Sequence, residues 1–290
     1  SSVVKQREVR INCNEIPDDM IFDHLVASYL SGAHRIIISS NIEFSRFQRK
    51  IFRDFVKSTR GLEITNDHSR EIEMISLLNP SEMPLFSSIN RMYLLISRQI
   101  RDFSEVLMGG DPDILEESSE LENEVDALRL LLERQAGQIL ESASIEDSLG
   151  TSRWEAAELC KLVRTLERMG DHSFALCDLA KSYKAPNLIN MDSLPISIIP
   201  IWHNSIKLLV SNLKNRNFSE IHDAKFKLIT AQKDLIQYEE VLRASDVDIS
   251  DALFLDRVSE SLRRICAYSI NMAEILMNIQ THRDSIEVYT

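Results

Sequence analysis

From Ile201 to Thr290 the chain contains neither glycine nor proline, although it has 7 of each in its 290 residues. A tail this long without breakers, rich in Leu, Ile, Glu, Lys and Arg, folds as long helix. The length admits about two domains. A formal net charge of −12 argues against nucleic-acid binding by this chain alone, which needs a dense basic face; mixed charges still leave room for a locally basic one. No apolar run approaches the roughly 20 residues of a membrane-spanning helix, and no signal peptide opens the chain. Cys13, Cys160, Cys177 and Cys266 form no C-x-x-C pair, and they read as small buried hydrophobes in a reducing compartment. The chain opens Ser-Ser rather than Met, as a fragment or processed chain would.

Seven prolines punctuate the map: Pro17, Pro80, Pro84, Pro112, Pro186, Pro195 and Pro200. Ahead of Pro80 the pattern is mixed. Val9 to Cys13 alternates like a short strand, Pro17 opens a helix running to Ser31 that Gly32 ends, and Arg35 to Ser39 is a buried-strand candidate. Phe44 to Thr59 is amphipathic with Gly61 just past its end. Leu62–Thr65 and Glu71–Ile75 alternate at period two. These elements predict a small α/β subdomain over residues 8–78.

Beyond it, six helices are predicted, over 84–108, 113–142, 151–184, 195–216, 219–245 and 249–286, with breaks at Gly109 to Pro112, Ile145 to Gly150, 185–194, Asn217 and Ser245 to Ser250. Medium, long, long occurs twice, the signature of a duplicated three-helix unit. A shift of 96 residues carries Leu162, Leu166, Met169, Ser173, Leu176 and Ala180 onto Val258, Leu262, Ile265, Ser269, Met272 and Leu276, one apolar stripe with the same serine interruption. A shift of 108 relates the second helices more loosely: Leu121 to Ile229, Asp126 to Asp234 and Leu128 to Ile236, while Val125 falls on Lys233. The expected fold is mainly α, two tandem three-helix bundles (84–184 and 195–286) behind the α/β subdomain.

Two acid-x-x-x-acid pairs lie in the first bundle, Glu122/Asp126 and Glu167/Asp171, each adjacent on one helix face. If the two helices are antiparallel neighbours, the pairs converge into a pocket of four carboxylates. Oxygen ligands without His or Cys suit Mg, Ca, Mn or ferric iron rather than zinc. The competing reading pairs these acids with Arg129, Arg164 and Arg168 on solvated faces. The shifts carry Glu122 to Thr230, Glu167 to Arg263 and Asp171 to Ala267, leaving only Asp234 in the second repeat; any metal chemistry therefore belongs to the first bundle.

Other chemistries lack their residues. Di-iron carboxylate oxidases need Glu-x-x-His, and no histidine here has Glu three residues before it. His172 reads as a surface group or an auxiliary beside the acids. There is no G-x-S-x-G and no glycine-rich phosphate loop. Gly109-Gly110 reads as a helix stop and turn, and Trp154 and Trp202 as packing anchors.

The segment Leu166-Glu167-Arg168-Met169-Gly170-Asp171-His172 within a duplicated three-helix unit resembles the PhoU family, whose motif there runs approximately Leu-Glu-Arg-Ile-Gly-Asp-His. Asp23 to Ile38 followed by Arg60-Gly61-Leu62-Glu63-Ile64 resembles the α/β region of archaeal PhoU-like regulators. The resemblance implies a non-enzymatic regulator of phosphate uptake and phosphate signalling, cytoplasmic or at the membrane periphery through a partner. It implies work with a phosphate ABC importer ATPase or a phosphate-sensing histidine kinase, homodimers, and an iron cluster or other metal held by Glu122, Asp126, Glu167 and Asp171. Archaeal relatives often carry an AbrB-like DNA-binding module upstream, and this chain begins where that module would end. The second expectation is therefore the sensing and dimerising part of a DNA-linked transcription regulator.

Overall fold

The structure, a computed structural model, describes residues 6–82, 85–183 and 190–285. Pro84, Pro186, the expected helix ends at 184 and 286 and residues 185–189 of the expected loop lie outside that description.

The N-terminal part is a four-stranded sheet with two helices: β1 (Glu8–Asn12), α1 (Ile21–Leu30), β2 (Arg35–Ser39), α2 (Arg46–Ser58), β3 (Leu62–Asp67) and β4 (Glu71–Ser76). The strand order is β1-β2-β4-β3. β1 and β2 are parallel, which requires the α1 crossover, and the other neighbours are antiparallel. Pro17 opens a 3-10 turn that leads into α1. α2 begins with a capping box in which Ser45 and Gln48 satisfy each other's backbone N–H groups. Gly61 has φ +71°, and a Cβ there would meet the Leu78 side chain at 2.3 Å; the turn from α2 into β3 accepts no other residue without rearrangement.

The helical part comprises α3 (Leu85–Leu107), α4 (Ser118–Glu141), α5 (Ala143–Leu149), α6 (Arg153–Ser182), α7 (Ile198–Asn215), α8 (Phe218–Arg243) and α9 (Ile249–Asp284). The fold is mainly α, with a small α/β part at its N-terminal side. Two boundaries differ from expectation. The second long helix starts at Ser118 rather than 113, because Pro112 first forms a 3-10 turn capped by Asp111. The expected break at 145–150 is occupied by α5, whose N-terminus Ser142 caps and whose end is Gly150 at φ +60°. Pro200 lies in the first turn of α7, where its missing N–H had no intrahelical partner to lose.

By compactness the chain forms two units, Ser1–Ser88 with Asp126–Cys160, and Ile89–Val125 with Lys161–Thr290. The first unit joins the sheet to the C-terminal half of α4. Leu130 belongs to the same apolar core as Ile21, Leu25, Tyr29, Ile36, Phe52 and Phe55. Arg134 is buried there, donating to the carbonyls of Tyr29 (2.6 Å) and Ala33 (2.8 Å) with its guanidinium 4.8 Å from the Tyr29 ring centre. It thereby braces the turn that leaves α1, adding a charged donor to the Tyr29 carbonyl, which Gly32 N–H also reaches at 3.1 Å, and one to Ala33 beyond the helix end. Burial lowers its pKa from the usual arginine range.

The second unit contains the two apolar stripes predicted from the shift of 96, and their serine interruptions have matching roles. Ser173 lies 2.6 Å from Gln99 Oε1 on α3, and Ser269 accepts a hydrogen bond of 2.9 Å from Trp202 Nε1 on α7. Each serine thus meets a polar group on the first helix of its own repeat. Trp202 is buried as expected. Trp154 is not a core anchor; it is exposed on the first turn of α6, on the face turned from the seam that Ala156 and Leu159 begin. None of the four cysteines is in a disulfide. Cys13, Cys177 and Cys266 are buried, and burial pushes their thiols up to about 11, 12 and 12. Cys160 departs from expectation in being only half-buried.

Candidate functional site

The acid pairs lie on α4 and α6, and the second unit shows how these helices meet. Gly170, between Glu167 and Asp171, faces Val125, which follows Glu122 on α4. A Cβ on Gly170 would come within 3.1 Å of Val125 Cγ1 and 3.8 Å of Ile96 on α3. The absent side chain is what lets the helices approach at the level of the acidic residues. α4 and α6 are neighbours there, which is one condition for the two acid pairs to approach each other.

All four candidate carboxylates are half-buried. On α6, Arg168 reaches both of its acids, 3.3 Å from Asp171 and 3.7 Å from Glu167, with side-chain exposures of 60%, 40% and 17% respectively. The alternative expectation, acids paired with arginine, thus describes Glu167 and Asp171 as placed. Glu122 lies one turn before Asp126 on α4, and its neighbour Glu124 pairs with Arg91 at 3.0 Å. Among the described residues, no three or more His, Cys, Asp or Glu side chains are gathered as a metal-holding group. Pairs as exposed as those of Arg168 contribute about 0–1 kcal/mol, so the guanidinium is a weak competitor for these oxygens.

His172 stacks on Tyr268 of α9, ring centres 5.9 Å apart, and the shift of 96 carries position 172 onto 268. Burial lowers the His172 pKa, assisted by the positive charge of Arg264. Nearby, Ser269 Oγ approaches Met169 Sδ at 3.5 Å. Further along, the Tyr183 hydroxyl donates to Asp251 at 3.0 Å while its ring stacks on Phe254. α6 and α9 therefore run antiparallel, in contact near both the middle and an end.

In the second repeat, Asp234 is exposed. Arg263, in place of Glu167, bonds Glu239 of α8 at 2.9 Å, and Ser259 reaches the same oxygen at 3.1 Å. Sequence reasoning missed Glu239, which is buried; its signal was Arg263 itself, a cation on an inward-facing stripe that demands a buried acid. Also missed were Glu133, Glu155 and Glu158, all buried in the first unit, where Arg129 lies 3.4 Å from Glu133. Glu155 and Glu158 precede Leu159 and Leu162 at seam spacing, and that position was the available signal.

These elements define a helical-bundle protein built on a duplicated three-helix unit. Residues 89–180 match the family model described as the PhoU domain. Among solved structures it is similar to PhoU from Pseudomonas aeruginosa, with a TM-score of 0.53 and 16% identity, over 68% of this chain and 96% of that one; at that identity the likeness establishes the fold. No curated protein matches the chain.

Proposed function

We propose that the chain is a non-enzymatic PhoU-like regulator of phosphate uptake or phosphate signalling, working by protein–protein contact. The observation that carries this reading is the PhoU-domain match over 89–180, which spans α3, α4 and most of α6 together with the Leu166–His172 motif. Exposed apolar side chains occur beside the α8–α9 turn: Val241 on α8 and Ile249 and Leu253 on α9. The partners by this reading are a phosphate ABC importer ATPase or a phosphate-sensing histidine kinase, met by a homodimer in the cytoplasm or at the membrane periphery. No helix among the described residues is long and apolar enough to cross a membrane.

Metal binding by Glu122, Asp126, Glu167 and Asp171 is a separate part of the proposal. The donor set suits a hard cation, Mg, Mn, Ca or iron in a cluster, and occupation requires Arg168 to swing off Asp171 and Glu167. The function is tested by affinity capture with the tagged chain, from cells grown in low and in high phosphate. Recovery of the importer ATPase or the kinase is expected, weakened at least tenfold by Val241→Asp with Leu253→Asp. Failure to recover either partner in both conditions overturns the reading.

A further inference from the structure

We propose that the outward face of α2 docks on an anionic membrane surface, its cations against lipid phosphates and a small apolar fringe entering the headgroup boundary. Between Arg46 and Arg60 there are six arginines and lysines and one acid, Asp54, in a chain whose net charge is −12. Arg46, Lys50, Arg53 and Lys57 recur at spacings of three and four, so they form one stripe along the helix, with Arg49 beside it. The opposite face is committed elsewhere. Phe52 and Phe55 are fully buried, and their rings meet Phe44 and Phe22 edge-on at 5.1 and 5.9 Å. The capping box holds the first turn, so α2 cannot roll, and the basic stripe is what it presents.

Two of these cations are neutralised locally, Arg49 by Asp67 at 2.5 Å and Lys50 by Asp54 at 2.8 Å. Arg46, Arg53 and Lys57 are exposed and make no ion pair among the described residues. Asp18, Asp54 and Asp67 are acids at this face; acids more than about 8 Å away are largely screened at physiological salt.

The choice of a bilayer over a nucleic-acid duplex rests on what surrounds the stripe. Gln48 donates to Asp18 at 2.7 Å, which ties the 3-10 turn to the start of α2. That bond sets Met20, exposed to 46%, near the first turn of α2, where Phe47 is exposed to 56%; Ile42, three residues before the Ser45 cap, is exposed to 71%. A lipid headgroup region takes in such side chains beside its phosphates, whereas a duplex takes them in only at base edges or opened base steps. Gln48, the amide best placed to read a base edge, is engaged with Asp18 and the cap. The proposal stands on the first unit alone and is independent of the regulator reading.

The test is sedimentation of the full chain with vesicles of phosphatidylcholine alone and of phosphatidylcholine with phosphatidylglycerol, at low and high salt, and with duplex DNA in parallel. Binding is expected only to the anionic vesicles and should weaken with salt. Each cation near the surface contributes on the order of fivefold, so Arg46→Gln with Arg53→Gln and Lys57→Gln should weaken binding on the order of a hundredfold. Phe47→Ser should weaken it at high salt too, and Arg53→Lys should leave it unchanged. All these positions are exposed, and an unaltered helical signal confirms folding of each variant. The proposal fails if the wild-type chain ignores anionic vesicles, if it binds neutral ones equally well, if the triple variant binds as before, or if duplex DNA is bound in preference to the vesicles.

Discussion

Single residues carry two of the predictions. Gly170 exists for the close approach of α6 to Val125, so Gly170→Leu should cost about 1–3 kcal/mol through overpacking, read as a lower urea midpoint; an unchanged midpoint would mean the helices are not in close contact there. His203 on α7 has its pKa lowered to about 4 by burial, with Arg101 adding to the effect, and its Nε2 has no hydrogen-bond partner among the described residues. Above the ordinary value near 6.5 both folded and unfolded states are neutral and nothing is lost. As pH falls from 6.5 toward 4 the unfolded chain takes up a proton that the folded one refuses, so stability declines. The ring is partly solvated, which limits the loss to about 1–2 kcal/mol; urea midpoints compared at pH 7 and 4.5 should show it, and His203→Phe should abolish that share. Gly170 was visible in the sequence as part of a motif, and its packing role was not. His203 was not legible, because only the packing around α7 buries it.

At the scale of elements, periodicity and breakers located the strands and the long helices to within a few residues. The misplaced boundaries have local causes: Pro112 with Asp111 winds a 3-10 turn before the helix can begin, and Ser142 caps a single short helix in what reads as a loop. What periodicity could not show is a buried cation serving another helix's end. Arg134 sits on α4 amid Leu130, Leu131 and Leu132, yet its guanidinium closes the last turn of α1. Arg134→Ala should therefore cost about 2–4 kcal/mol, since two carbonyls lose a charged donor and the Tyr29 ring loses its cover. Arg134→Met should recover little of this; full recovery in thermal unfolding would show that only the side chain's bulk mattered.

At the scale of the whole molecule, the duplication was legible because an apolar stripe with one serine repeats 96 residues later. The proposed carboxylate site was legible only as two helix faces. The arginine between Glu167 and Asp171 could be named beforehand but not ranked against an ion, since pairing and coordination use the same oxygens. Metal content decides it: Asp126→Ala with Asp171→Ala should lower the metal bound by purified protein several-fold with helicity intact, and Asp234→Ala should leave it unchanged. Retention of metal by the double variant would place the ligands elsewhere. The contact of His172 with Tyr268 has its own consequence. The sequence shift of 96 that aligns the repeats carries position 172 onto 268, so α6 and α9 meet at equivalent positions. Each ring is the other's packing surface, so enlarging or removing one leaves its counterpart in the other repeat misfitted.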